Sequence, residues 1–103
     1  MIARIWHGKT TIKKYDAYTE FLKQVAIPDY QKTAGLKGMT FLRNIINNEG
    51  HFYLITFWAN IEAIKKFAGE DFERPKYFPE DRDFLLELEE KANHYEVFAQ
   101  QRT

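Results

Sequence analysis

Two groups of side chains carry most of the chemistry that this sequence can support. The first is aromatic: Trp6, Tyr30, Trp58, Tyr77 and Phe72, with Arg4 as a charged anchor among them. A cleft built from these types suits a flat, partly polar molecule, because rings stack on it, phenol hydroxyls orient it and a guanidinium holds a carbonyl or phenolate oxygen. If the bound molecule loses a proton to give an electron-rich anion, groups that stabilise that anion are all that oxygenation without a cofactor needs from the protein. No residue stands out as the catalytic base, and the same rings also serve as plain core in a chain that is 17% aromatic. The second group is His7, His51 and His94, which the element order below gathers at one end of a sheet. Three imidazoles there could bind zinc, copper or nickel, or relay protons. They lack a local ligand motif and read more simply as separate polar residues near strand ends, so no metal is expected. No cofactor is expected.

Other chemistries are excluded by composition. The chain of 103 residues has neither Cys nor Ser, so a thiolate or serine nucleophile, a disulfide framework and cysteine-bound zinc are all impossible. Fifteen basic and fifteen acidic residues leave no net charge for neutralising nucleic-acid phosphates. The charges are unevenly spread, with a net +5 over residues 1–47 and −5 over the rest, which would complement each other across an interface between copies. Glycine-rich phosphate loops and dinucleotide fingerprints are missing. The apolar run from Phe52 to Ala59 is too short to span a bilayer, and Met1-Ile2-Ala3-Arg4 leads straight into strand-like alternation. One cytoplasmic domain over residues 1–103, with no membrane or nucleic-acid partner, is expected.

The elements that must position these residues follow from periodicity. Residues 2–10 alternate as a strand. Thr11 is placed to cap a helix with Tyr15, Tyr18, Phe21, Leu22 and Val25 on one face, bent at Pro28 and stopped at Gly35. Residues 36–46 and 51–58 read as a hairpin around Asn47-Asn48-Glu49-Gly50. Asn60 caps a second helix that ends at Gly69. An ordered excursion over 70–79 precedes a short helix over 81–89 and a last strand over 94–99, and the segment 70–83 reads either as a lid over the cleft or as a structural excursion with a solvated charged edge. This βαββαβ order predicts an α+β, ferredoxin-like fold: a four-stranded antiparallel sheet, order 2-3-1-4, with helices on one face.

Strand three places Phe52, Leu54 and Trp58 on one face and Tyr53, Ile55 and Phe57 on the other. Two helices cover only one of these apolar faces, so a homodimer through the second face is expected.

The opening Ile2-Ala3-Arg4-Ile5-Trp6, the Pro28-Asp29-Tyr30 bend, Gly35, Thr56-Phe57-Trp58 with Asn60-Ile61-Glu62-Ala63, and Phe67-Ala68-Gly69-Glu70-Asp71 resemble the antibiotic biosynthesis monooxygenase superfamily. So do Tyr77-Phe78-Pro79-Glu80-Asp81 and His94-Tyr95-Glu96-Val97, which match a subgroup of mostly unassigned function. The resemblance implies a dimeric α+β barrel with Trp58 as a pocket residue. It also implies a cofactor-independent monooxygenase, or a related proton-transfer enzyme, acting on a small aromatic or polyketide-like molecule. The alternatives that the same fold offers are a non-catalytic small-molecule binding module and a haem- or metal-binding barrel protein. The chain departs from the monooxygenase pattern at Leu54 and Ile64, where the family carries Asn and Tyr. From the haem-degrading pattern it departs at Trp6, in place of Asn, and in offering Tyr77 where an axial His is expected.

Overall fold

A computed structural model describes residues 1–101 of the chain. Strands β1 (Ile2–Thr11), β2 (Leu36–Ile46), β3 (Glu49–Trp58) and β4 (Asn93–Glu96) form one antiparallel sheet in the order β2-β3-β1-β4. That is the ferredoxin-like arrangement expected from the element order. The β2–β3 turn shrinks to two residues, Asn47 and Asn48, at φ 50° and 62°. Asparagine tolerates this left-handed pair, and the turn twists as the strands do. Glu49 and Gly50 therefore join β3 instead of the turn.

Alternation decides what each face carries. On the inner face Arg4, Trp6 and Thr10 of β1 and Phe52, Leu54, Thr56 and Trp58 of β3 are buried. The register sets Trp6 opposite Leu54 and His7 opposite Tyr53, so the odd-numbered β1 residues fall on the outer face with Tyr53, Ile55 and Phe57. The core forms where the helices meet the inner face: Tyr30 stacks on Phe67 at 4.3 Å between ring centroids, and Trp58 lies against both.

The first helix, α1 (residues 12–31), is continuous and has no break at Pro28. It runs through a 3-10 turn at Ile12–Lys14, an α segment at Tyr15–Phe21, a π turn at Leu22–Ala26 and a last α segment at Ile27–Gln31. The widened π turn precedes the proline, which starts the last segment where its missing N–H leaves no partner unpaired. Thr11 makes no side-chain cap at the helix start. By contrast, Asn60 does cap α2 (Ile61–Ala68), accepting from the Ala63 N–H at 2.9 Å. Gly35 ends the first crossover at φ +93°, and a Cβ there would come within 2.4 Å of the Ala63 Cβ. Both the backbone conformation and the contact with α2 thus require glycine.

The helix expected over 81–89 stops after one turn, α3 (Asp81–Phe84). Beyond it the chain is captured by the edge of β1: Leu85 bridges Thr10, and the Leu86 N–H donates to the Lys9 carbonyl at 2.9 Å. An open strand edge with unpaired N–H and C=O groups outcompetes the weak propensity of a short helix. The last strand likewise ends at Glu96, short of 99.

Candidate functional site

A cleft opens between the inner face of β1, helix α1 and the excursion that follows α2. Arg4, Trp6 and Leu54 line it from the sheet, Tyr18, Leu22, Ala26 and Tyr30 from α1, and Pro75, Lys76, Tyr77, Phe78 and Asp81 from the excursion and α3. It spans about 370 Å³. Its walls meet so closely that the space inside admits little more than one water molecule.

Arg4 is the centre of the site. The alternation of β1 puts it on the inner face, where it is 3% exposed. Its guanidinium donates to the Phe72 carbonyl, to the Arg74 carbonyl at 3.1 Å and to His94 Nε2 at 2.9 Å. Burial, and next the nearby positive charge of Arg4, hold the His94 pKa below its ordinary value, so at neutral pH this ring accepts from Arg4 as the uncharged imidazole. None of the three partners is a carboxylate, and the charge stays uncompensated. Three contacts also leave two of the five N–H donors of a guanidinium for another acceptor.

The second polar group is Asp81, which no feature of the sequence distinguished. It is 3% exposed, at the start of α3. One carboxylate oxygen accepts from the Tyr18 hydroxyl at 2.9 Å and the other from the Phe78 N–H at 2.6 Å. Burial raises its pKa above the usual carboxylate value, against the pull of these two bonds. Two of the roughly four lone-pair positions of a carboxylate remain free. A desolvated carboxylate of raised pKa is the usual form of a general base. The phenols beside it stay protonated: burial pushes Tyr30 up to about 12 and drives Tyr18 upward too, aided by the Asp81 charge.

Trp6 and Tyr77 close the cleft. Trp6 Nε1 donates to the Tyr77 hydroxyl at 3.2 Å, which in turn donates to the Glu89 carbonyl at 2.6 Å. The indole lies over Gly8, where a Cβ would fall within 2.2 Å of the ring. Lys76 reaches Asp29 of α1 at 2.7 Å, tying the excursion down on its other side.

Of the six residues expected around a ligand, Arg4, Trp6, Tyr30 and Tyr77 line this cleft. The other two do not. The Phe72 ring packs edge-on against His94, and its contribution to the site is its carbonyl. Trp58 is fully buried behind the cleft, with Nε1 bonded to Thr56 Oγ1 at 2.8 Å. Trp58→Phe is therefore expected to cost about 1–3 kcal/mol of stability, from lost packing and a lost hydrogen bond, while ligand affinity changes less than about threefold. Urea denaturation and ligand titration of one preparation measure both. The three histidines also separate: His7 and His51 meet on the outer face, and His94 is on the inner one.

No family model matches the sequence, and no curated protein matches it. Solved structures match over the whole length. A Bacillus cereus protein provisionally named an antibiotic biosynthesis monooxygenase superposes with a TM-score of 0.66, at 13% identity, over 99% of this chain and 97% of that one. The two chains share the same ferredoxin-like α+β fold. An arginine-to-serine variant of MhuD, solved with two manganese protoporphyrin IX molecules per active site, matches at a TM-score of 0.65, 14% identity and full coverage of both chains. At such identities the likeness is one of fold. Within this fold Leu54 and Ile64 are buried apolar residues, so the polar groups of the cleft are instead Arg4, Tyr18, Tyr30, Lys76, Tyr77 and Asp81. A porphyrin finds no axial ligand here: no histidine lines the cleft, and the Tyr77 hydroxyl is engaged on both sides.

Proposed function

We propose that the cleft binds a small aromatic or polyketide-like molecule and removes an acidic proton from it, in a cofactor-independent oxygenation or a related proton-transfer reaction. The observation that carries this reading is Arg4, a buried guanidinium with no carboxylate partner facing an aromatic cleft that also holds a buried carboxylate. Asp81 takes the proton, and Arg4, with the Tyr30 hydroxyl, stabilises the enolate or phenolate oxygen that results. The closed walls require Tyr77 and its neighbours to move outward for entry, and their return excludes water. In the oxygenase version the anion gives an electron to dioxygen, the superoxide and substrate radical combine to a peroxide anion, and this takes the proton back from Asp81 and loses water to leave a carbonyl on the substrate.

Oxygen uptake with anthrone- and hydroquinone-like molecules tests the oxygenase version. Uptake well above a protein-free control is expected. Uptake equal to that control for the whole panel overturns oxygenation of this class.

The active form is a homodimer in the cytoplasm. Leu42 and Tyr95 on the outer sheet face are 48% and 53% exposed beside Ile5, Ile55 and Phe57, an apolar surface that a second copy covers. Light scattering at micromolar concentration should give twice the chain mass.

A further inference from the structure

The two histidines on the outer face have an arrangement that the cleft does not use. His7 Nδ1 lies 2.5 Å from a carboxylate oxygen of Glu89, and His7 Nε2 lies 2.9 Å from His51 Nδ1. The carboxylate accepts the Nδ1 proton of His7, which leaves its Nε2 as a lone pair aimed at His51. Carboxylate–imidazole pairs of this kind fix the tautomer and raise the basicity of metal-ligating histidines. Two nitrogens bound to one metal at about 2.0–2.1 Å stand about 2.9–3.4 Å apart for angles between square and tetrahedral, and the present separation falls at the short end.

We propose that His7 and His51 hold a divalent transition-metal ion of the zinc, nickel and copper group, with Glu89 as the residue that orients His7. The rings now approach nearly edge to edge, 5.2 Å between centroids and 26° apart in plane, as an N–H···N bond requires. In this form the His51 Nδ1 proton fills the gap. Binding moves that proton to His51 Nε2, the rings swing to converge on the ion, and no net proton is released. Among the described residues no group of three candidate ligands converges, so the ion keeps open positions for water or for a group from a second copy. The site is at the polar end of the outer face, where Lys9 pairs with His51 in the register and is itself met by Glu49 and Glu87 at 3.9 and 3.7 Å. These carboxylates temper the cation that would otherwise repel the metal.

The inference is independent of the cleft and is tested with zinc(II) alone. Calorimetric titration of the full chain should show one zinc per chain. Affinity should fall at least tenfold in His7→Ala and in His51→Ala, fall about tenfold in Glu89→Gln, and stay unchanged in His94→Ala. Zinc should shift the ring nitrogen resonances of His7 Nε2 and His51 Nδ1 and leave those of His94 in place, a readout that does not depend on any variant folding. Equal affinity in His51→Ala, zinc shifts at His94 alone, or no saturable binding by the wild type overturns the proposal.

Discussion

Arg4→Met should lower kcat/KM for the molecule that this cleft turns over by about 10²–10³, the usual loss when one preorganised donor to a developing oxyanion is removed. Stability should change by less than about 2 kcal/mol, because two effects offset each other. Methionine relieves the desolvation of a buried cation that has no carboxylate partner. It also strips the Phe72 and Arg74 carbonyls of their donor. Arg4→Lys keeps the charge but cannot reach both carbonyls and a bound oxygen together, and an intermediate loss of about tenfold is expected. Steady-state kinetics beside urea denaturation of the same samples checks both halves. An Arg4→Met protein of undiminished kcat/KM removes Arg4 from the site.

The sheet and its order were legible because the βαββαβ succession of elements and the hairpin around Asn47-Asn48 leave few ways to pair four strands, whereas both faces of β3 are apolar and do not by themselves show which one the helices cover. In the structure the alternation of β1 and β3 puts Arg4 on the inner face and His7 and His51 together on the outer one. Position in the cleft was less legible. Trp58 and Trp6 share the inner face, and only the three-dimensional path of residues 70–92 decides that Trp6 borders the cleft while Trp58 is sealed behind Tyr30 and Phe67. Asp81 was hidden for a related reason. It is one of six acidic residues between Glu70 and Asp83, and burial, which no local pattern records, sets it apart from the others. The failed helix over 81–89 belongs to the same class, since the β1 edge that captures Leu85 and Leu86 is more than seventy residues away in sequence.

Asp81→Asn should reduce kcat by about 10²–10⁴, the range that a positioned base contributes. The wild-type rate should fall as pH drops through the raised Asp81 value, and the residual rate of the variant should lack that limb. Stability provides an independent check. Burial raises the folded-state pKa above the ordinary value of 3.8, so the native protein retains this proton over a window in which the unfolded chain has released it. The contribution of Asp81 to stability is therefore full below 3.8, is lost as pH rises through the folded value, and is flat above it. Asparagine has no such slope. Relative to wild type, the variant should be more stable at pH 7 than it is at pH 4, as read from urea midpoints. A difference that is flat with pH, or of opposite sign, means that Asp81 is not a desolvated carboxylate.

The most direct test of proton abstraction removes oxygen from the experiment. Under nitrogen in deuterated buffer, an anthrone-like substrate with its acidic C–H visible by proton NMR should exchange faster with the wild-type protein than in buffer alone. The acceleration should disappear with Asp81→Asn and largely with Arg4→Met. Exchange at the buffer rate with folded wild-type protein and bound substrate would contradict the account, and the cleft would then be a binding site without proton-transfer chemistry.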